Sequence, residues 1–183
     1  MVETLRTPAR PSKCPPNLAT MMNQATLHAL AAFPDQLEAF YAAIPARRAH
    51  WTPPSWDGIP SEAFTPIEQI CHVRDIEIDG YQVRISRALN ECNPDLPSLD
   101  GERLAKERDY AKANAADVLA AFRFARRDTV ECIAGLSAAQ LERRAVFEGY
   151  GLVTVRGLVH YLCSHDQQHL AGLQWLLGKM EAP

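Results

Sequence analysis

The chain has 183 residues, 47% of them hydrophobic and 22% charged, with 19 basic side chains against 22 acidic ones and a formal charge of −3. A chain of this length buries about 70% of the surface its unfolded form exposes, enough for one core without disulfides. Neither charge sign forms a long run, so the composition excludes an intrinsically disordered chain and offers no basic stripe for nucleic acid or a membrane surface.

Residues 1–21 are expected to be a flexible leader, since prolines 8, 11, 15 and 16 fall there and little else can bury itself. The N-terminus lacks the apolar stretch of a signal peptide, and no apolar run reaches the ~20 residues of a membrane span. The five cysteines (Cys14, Cys71, Cys92, Cys132 and Cys163) are odd in number, widely spaced and without a C-x-x-C pair. That argues against a disulfide framework or a cysteine zinc knuckle, and a reduced, cytoplasmic setting is the expectation.

The alanine- and leucine-rich stretch from Met22 to Ile44 predicts a helix that Pro34 should kink or divide. A proline-rich loop follows to Phe64. Its Trp51, Trp56, Ile59 and Phe64 predict that it packs over something, either lining a pocket or capping the core. Thr65-Pro66-Ile67-Glu68 then forms a capping box with proline at the first helical position, opening a helix to about Leu89. Asn93 to Pro97 ends it. Asp100-Gly101-Glu102 opens a helical stretch to Leu136, broken near Asn114, with an apolar seam of Val118, Phe122, Ala125, Thr129, Cys132 and Leu136. Arg126 and Arg127 read as a solvated face of it. Ser137 and Gln140 make a second, short capping box, residues 143–153 read as extended or turn-like, and Thr154 caps a last helix ending near Gly178. Long helical segments without a strand series or an internal repeat predict an all-α four-helix bundle over residues 22–178, with a tail at 179–183.

The last helix carries the chemistry. Its two core lines are Val155, Leu162, His169, Leu176 and Leu158, His165, Gly172. Two histidines thus stand where the period calls for apolar residues. Four apart on a helix, they lie about 40° apart and project the same way, the spacing that lets two imidazoles chelate one ion. The alternative is a pair of core histidines satisfied by hydrogen bonds. In the second helix, His72, Asp75, Ile76 and Asp79 share a line that either faces solvent or converges inward on the same site. If it converges, His72 supplies a third nitrogen, and three histidines with an open position are a catalytic type of arrangement for zinc, nickel, iron or copper. Asp75 and Asp79 would then orient an imidazole or supply a fourth ligand. Cys71, Cys163, Asp166 and His160 read as packing or surface residues, and His28 and His50 have no partner at useful spacing.

Glu68-Gln69-Ile70-Cys71-His72-Val73-Arg74-Asp75, followed some 90 residues later by Ser164-His165-Asp166-Gln167-Gln168-His169, resembles the DinB-like superfamily. Pro45, the Trp51/Trp56 loop and Phe147-Glu148-Gly149-Tyr150-Gly151 fit the same resemblance, which spans about residues 22–178. It implies an up-up-down-down four-helix bundle, a homodimer, and a divalent metal ion (zinc or nickel first, then iron or manganese) on His72, His165 and His169. Family members often carry glutamine three residues after the last histidine, where this chain has Gly172. The chemistry the resemblance implies is metal-dependent thiol transfer between a low-molecular-weight thiol and a small electrophile, with no nucleic acid or membrane as partner. Two alternatives stand beside it. One is metal-dependent hydrolysis with Asp75 or a loop carboxylate as general base, and the other is a metal-binding stress protein without turnover.

Overall fold

The computed structural model describes residues 21–182; the expected leader up to residue 20 and Cys14 lie outside them. The first helix, α1 (Gln24–Ala42), is capped by the Asn23 side chain on the Ala25 amide and runs unbroken through Pro34. Of the kink or division expected at Pro34, the division does not occur, and a replacement for the missing hydrogen bond is visible. Proline has no N–H to give the carbonyl of Leu30, four residues back. That carbonyl instead accepts from the buried Arg126 guanidinium at 3.3 Å.

The capping box forms as the sequence predicts: Glu68 accepts from the Thr65 amide at 2.9 Å and opens α2 (Pro66–Asp75). A π-helical segment, Ile76–Gln82, then leads into α3 (Val83–Asn90). The wider turns rotate the helix relative to an uninterrupted α-period. Glu77, seven residues after buried Ile70, stays on the inward face, whereas Asp79 within the π segment points outward, so the line from His72 to Asp79 expected from the sequence breaks at its last member. After α4 (Gly101–Glu107) and a 3-10 turn at Tyr110–Lys112, Asn114 caps α5 (Ala115–Ala134) by accepting from the Ala116 and Asp117 amides. The seam of α5 ends on buried Ile133, with Cys132 exposed. The short α6 (Ala138–Leu141) and the last helix, α7 (Val155–Glu181), complete the helices.

Residues 143–153 are more ordered than the sequence suggests. Strands β2 (Arg144–Phe147) and β3 (Gly151–Thr154) pair antiparallel around a turn with Gly149 at φ 81°, and β1 (Asp95–Leu96) adds to β2 in parallel. This small sheet is an accessory to a mostly helical molecule. The bundle itself consists of α1, the α2–α3 rod, α5 and α7; α1 packs on α5 and α7, and the rod packs on the same two. No helix among the described residues is long and apolar enough to cross a membrane.

The apolar core is in two parts. One contains Leu30, Ile76, Leu158 and Leu162, the other Phe33, Ile70, Phe122, Leu170 and Leu173. Along α7 the boundary falls between Leu162 and Leu170, the stretch that carries His165, Asp166 and His169. A polar layer therefore separates two apolar ones.

Arg126 is the largest fully buried side chain of that layer, not part of a solvated face. Its guanidinium donates to both oxygens of Asp166 on α7 (2.6 and 2.9 Å), to both of Glu77 in the π segment (2.8 and 3.1 Å), and to Leu30 of α1. All five donors are used. Phe33 and Phe122 cover its faces, with 5.5 and 4.9 Å between guanidinium and ring centres. One side chain thus ties together all four legs of the bundle. Two carboxylates share a single cation here; burial pushes Asp166 up to about 6 despite the adjacent Arg126.

Candidate metal centre

Helix periodicity aims three imidazoles at one point. His72 comes from the second turn of α2, His165 and His169 from successive turns of α7, and their ligand atoms all lie within 4.8 Å of one another. The ring centres are 4.4 to 5.3 Å apart, and Nε2 of His72 and Nε2 of His165 are separated by 3.3 Å. His72 and His169 are buried; His165 is half-buried, so the cluster meets solvent on its side.

The imidazoles are held in register by neighbours. Gln69 Nε2 donates to Ser61 Oγ (2.9 Å) and to the Glu62 carbonyl (3.2 Å), which leaves Gln69 Oε1 to accept from His169 Nδ1 at 2.6 Å. The proton of His169 is thereby fixed on Nδ1, and Nε2 presents its lone pair. That buried Nε2 has no hydrogen-bond partner, and neither has His72 Nδ1. His72 is fenced by the Phe64 ring, with centres 5.1 Å apart, and by Gly101, where a Cβ would come within 2.7 Å of His72 Cε1. A cleft lined by Ala63, Phe64, Glu68, Glu102, Lys106 and Asp109 opens beside the same phenylalanine.

Burial, and then the neighbouring His169, push His72 down to about 4; burial and the adjacent imidazoles push His165 well below its ordinary value. Both are neutral at neutral pH, the state in which an imidazole binds a metal. Three imidazole nitrogens within reach of one point, one of them buried and without a hydrogen-bond partner, fit a divalent ion.

Asp75 does not join this cluster. Its carboxylate is taken by Arg74 Nε (2.6 Å), Arg108 Nη1 (2.9 Å) and the Tyr110 hydroxyl (2.7 Å). Burial opposes its ionisation, but Arg74, Tyr110 and Arg108 together hold the carboxyl below its usual range. The carboxylate that does approach is Glu62, on the connection between α1 and α2, with Oε2 3.2 Å from His169 Nε2 and Oε1 3.8 Å from His72 Nε2. Glu62 and Gln69 carry no periodic signal; their only trace in the sequence is that they flank the capped start of α2.

These roles separate in one variant. Asp75→Asn should lower stability by about 1–3 kcal/mol at neutral pH, because it removes a buried charge partner from two arginines. Asp75 is depressed in the folded state, so its contribution is complete above the ordinary carboxyl value near ~4 and fades as pH falls through the lower folded value. Urea unfolding of wild type and variant should therefore converge in acid, with metal uptake unchanged.

Of the remaining candidates, Cys71 is buried, which pushes its thiol up to about 12, and the four described cysteines are free thiols. Trp56 stacks on Trp175 of α7 with ring centres 6.2 Å apart, whereas Arg48 lies over Trp51. His28, His50 and His160 are exposed. Gly172 leaves room for Ser61 and Gln69, and it is Gln69 that supplies the polar contact to His169.

A family model described as the DinB superfamily matches residues 29–173. Among solved structures the chain resembles YfiT from Bacillus subtilis, described as a probable metal-dependent hydrolase with an unusual four-helix bundle topology. The match has a TM-score of 0.76 at 17% identity and covers 97% of this chain and 95% of that one. At that identity the likeness speaks for the fold. No curated protein matches the sequence.

Proposed function

This chain belongs to the DinB superfamily, and from that premise we propose that it is an enzyme using a divalent ion held by His72, His165 and His169 to hydrolyse a small molecule. The observation that carries the reading is the convergence of three imidazoles from α2 and α7 on one point that reaches solvent beside His165. An all-imidazole set suits zinc or nickel. Such an ion, when bound, lowers the pKa of a bound water or thiol and polarises a substrate oxygen. The residues of the chain do the rest: Gln69 fixes the tautomer of His169, while Phe64 and Gly101 enclose His72. Hydrolysis is preferred to thiol transfer because YfiT, alike in fold, is described as a probable metal-dependent hydrolase.

The test is a comparison of metal-free, zinc-loaded and nickel-loaded protein on ester and amide substrates, run beside thiol consumption with small electrophiles. Metal-dependent hydrolysis that disappears in His165→Ala is the expected result. Thiol consumption without hydrolysis replaces the hydrolase by a transferase, and bound metal without either activity favours the non-catalytic stress protein. Turnover that survives removal of the metal refutes the site.

A further inference from the structure

His169 Nε2 and Glu62 Oε2 face each other across 3.2 Å. With Nδ1 of His169 donating to Gln69, the ring in its neutral form presents a lone pair to Glu62, and two acceptors at that distance call for a cation between them. A single proton would serve this pair alone. It would leave the other two nitrogens apart from the pair: His72 Nε2, 3.8 Å from the other oxygen of the same carboxylate, and His165 Nε2, hydrogen-bonded to it at 3.3 Å. One ion with several coordination positions serves all four groups.

The approach of Glu62 is built in. The amide of Gln69 that orients His169 also holds Ser61 Oγ and the Glu62 carbonyl, so ligand and carboxylate hang from one side chain. Ser61 sits against α7 at Gly172, where any Cβ would collide with its hydroxyl. The same connection is fastened further back by the stacking of Trp56 on Trp175. Glu62 itself remains 46% exposed, so it can also swing away.

Resting on the metal reading above, we propose that Glu62 is the chain's own displaceable fourth ligand, so that the bound ion clasps the α1–α2 connection over the site and an incoming substrate releases it. Three imidazole nitrogens and one carboxylate oxygen would make up the four-ligand donor set that zinc favours. A glutamate that only accepted a proton from substrate or water would not be needed for the metal to bind.

The experiment titrates the metal-free full chain with zinc, and follows hydrogen exchange of residues 58–65 with and without the ion, in wild type, Glu62→Gln and His165→Ala. Glu62 is at the surface, so its variant is expected to fold. In wild type, zinc should bind and slow exchange in the segment. In Glu62→Gln, affinity should fall by at least the ~10–100-fold that even outer contacts of a metal site confer, and zinc should no longer protect the segment. Equal affinity and equal protection in wild type and Glu62→Gln overturn the fourth-ligand proposal while leaving the three-histidine site standing. No zinc uptake by wild type overturns both.

Discussion

Replacing Arg126 with methionine should unfold the protein more readily than any surface substitution, with a loss of about 3–5 kcal/mol in urea. The cost arises from what the guanidinium leaves behind. Glu77 and Asp166 are as buried as Arg126 itself, and Leu30 loses the donor that stands in for the missing amide of Pro34. Methionine fills much of the volume between Phe33 and Phe122, so a cavity accounts for little of the loss. In a domain of this size the same change lowers the thermal midpoint by about 6–20 °C. Exchanging all three charged groups for apolar ones of similar volume should recover most of it, because a buried ion network stabilises little against a well-packed hydrophobic alternative. A single-variant loss below about 1 kcal/mol would show that the network is not what joins the four legs.

Zinc or nickel should raise the thermal midpoint of wild type, and His165→Ala and His169→Ala should abolish that rise. At a free metal concentration about 100 times the dissociation constant, linkage gives about 2.7 kcal/mol, or about 5–10 °C here. The two variants differ without metal. His169→Ala leaves Gln69 Oε1 unpaired in the core and should be less stable, whereas half-buried His165 gives up only the longer, 3.3 Å contact with His72 Nε2. Loss of the metal response in both, with unequal stability without metal, separates a ligand role from a packing role in calorimetry.

The histidines were legible in the sequence because a helix repeats. His165 and His169 interrupt an apolar seam at the spacing of one turn, and His72 follows a capping box that fixes where its helix begins. The all-α bundle followed from the same periodicity. What escaped has specific causes. Arg126 looks like half of an exposed pair because its partners, Glu77 and Asp166, are distant in sequence and lie on other helices. Asp75, one turn from His72, belongs with it by spacing alone. The 3-10 turn carrying Tyr110 and the end of α4 at Arg108 draw its carboxylate away. Glu62 sits in a connection without repeat, where only the fold shows which carboxylate is near. The hairpin of β2 and β3 is short enough that its glycines read as a turn and its pairing does not show.

The most direct measurement is the divalent metal content of the purified full chain, by elemental analysis after exposure to zinc and removal of excess. About one ion per chain in wild type and none in His165→Ala or His169→Ala is the result this account predicts; the same metal content in all three would contradict it.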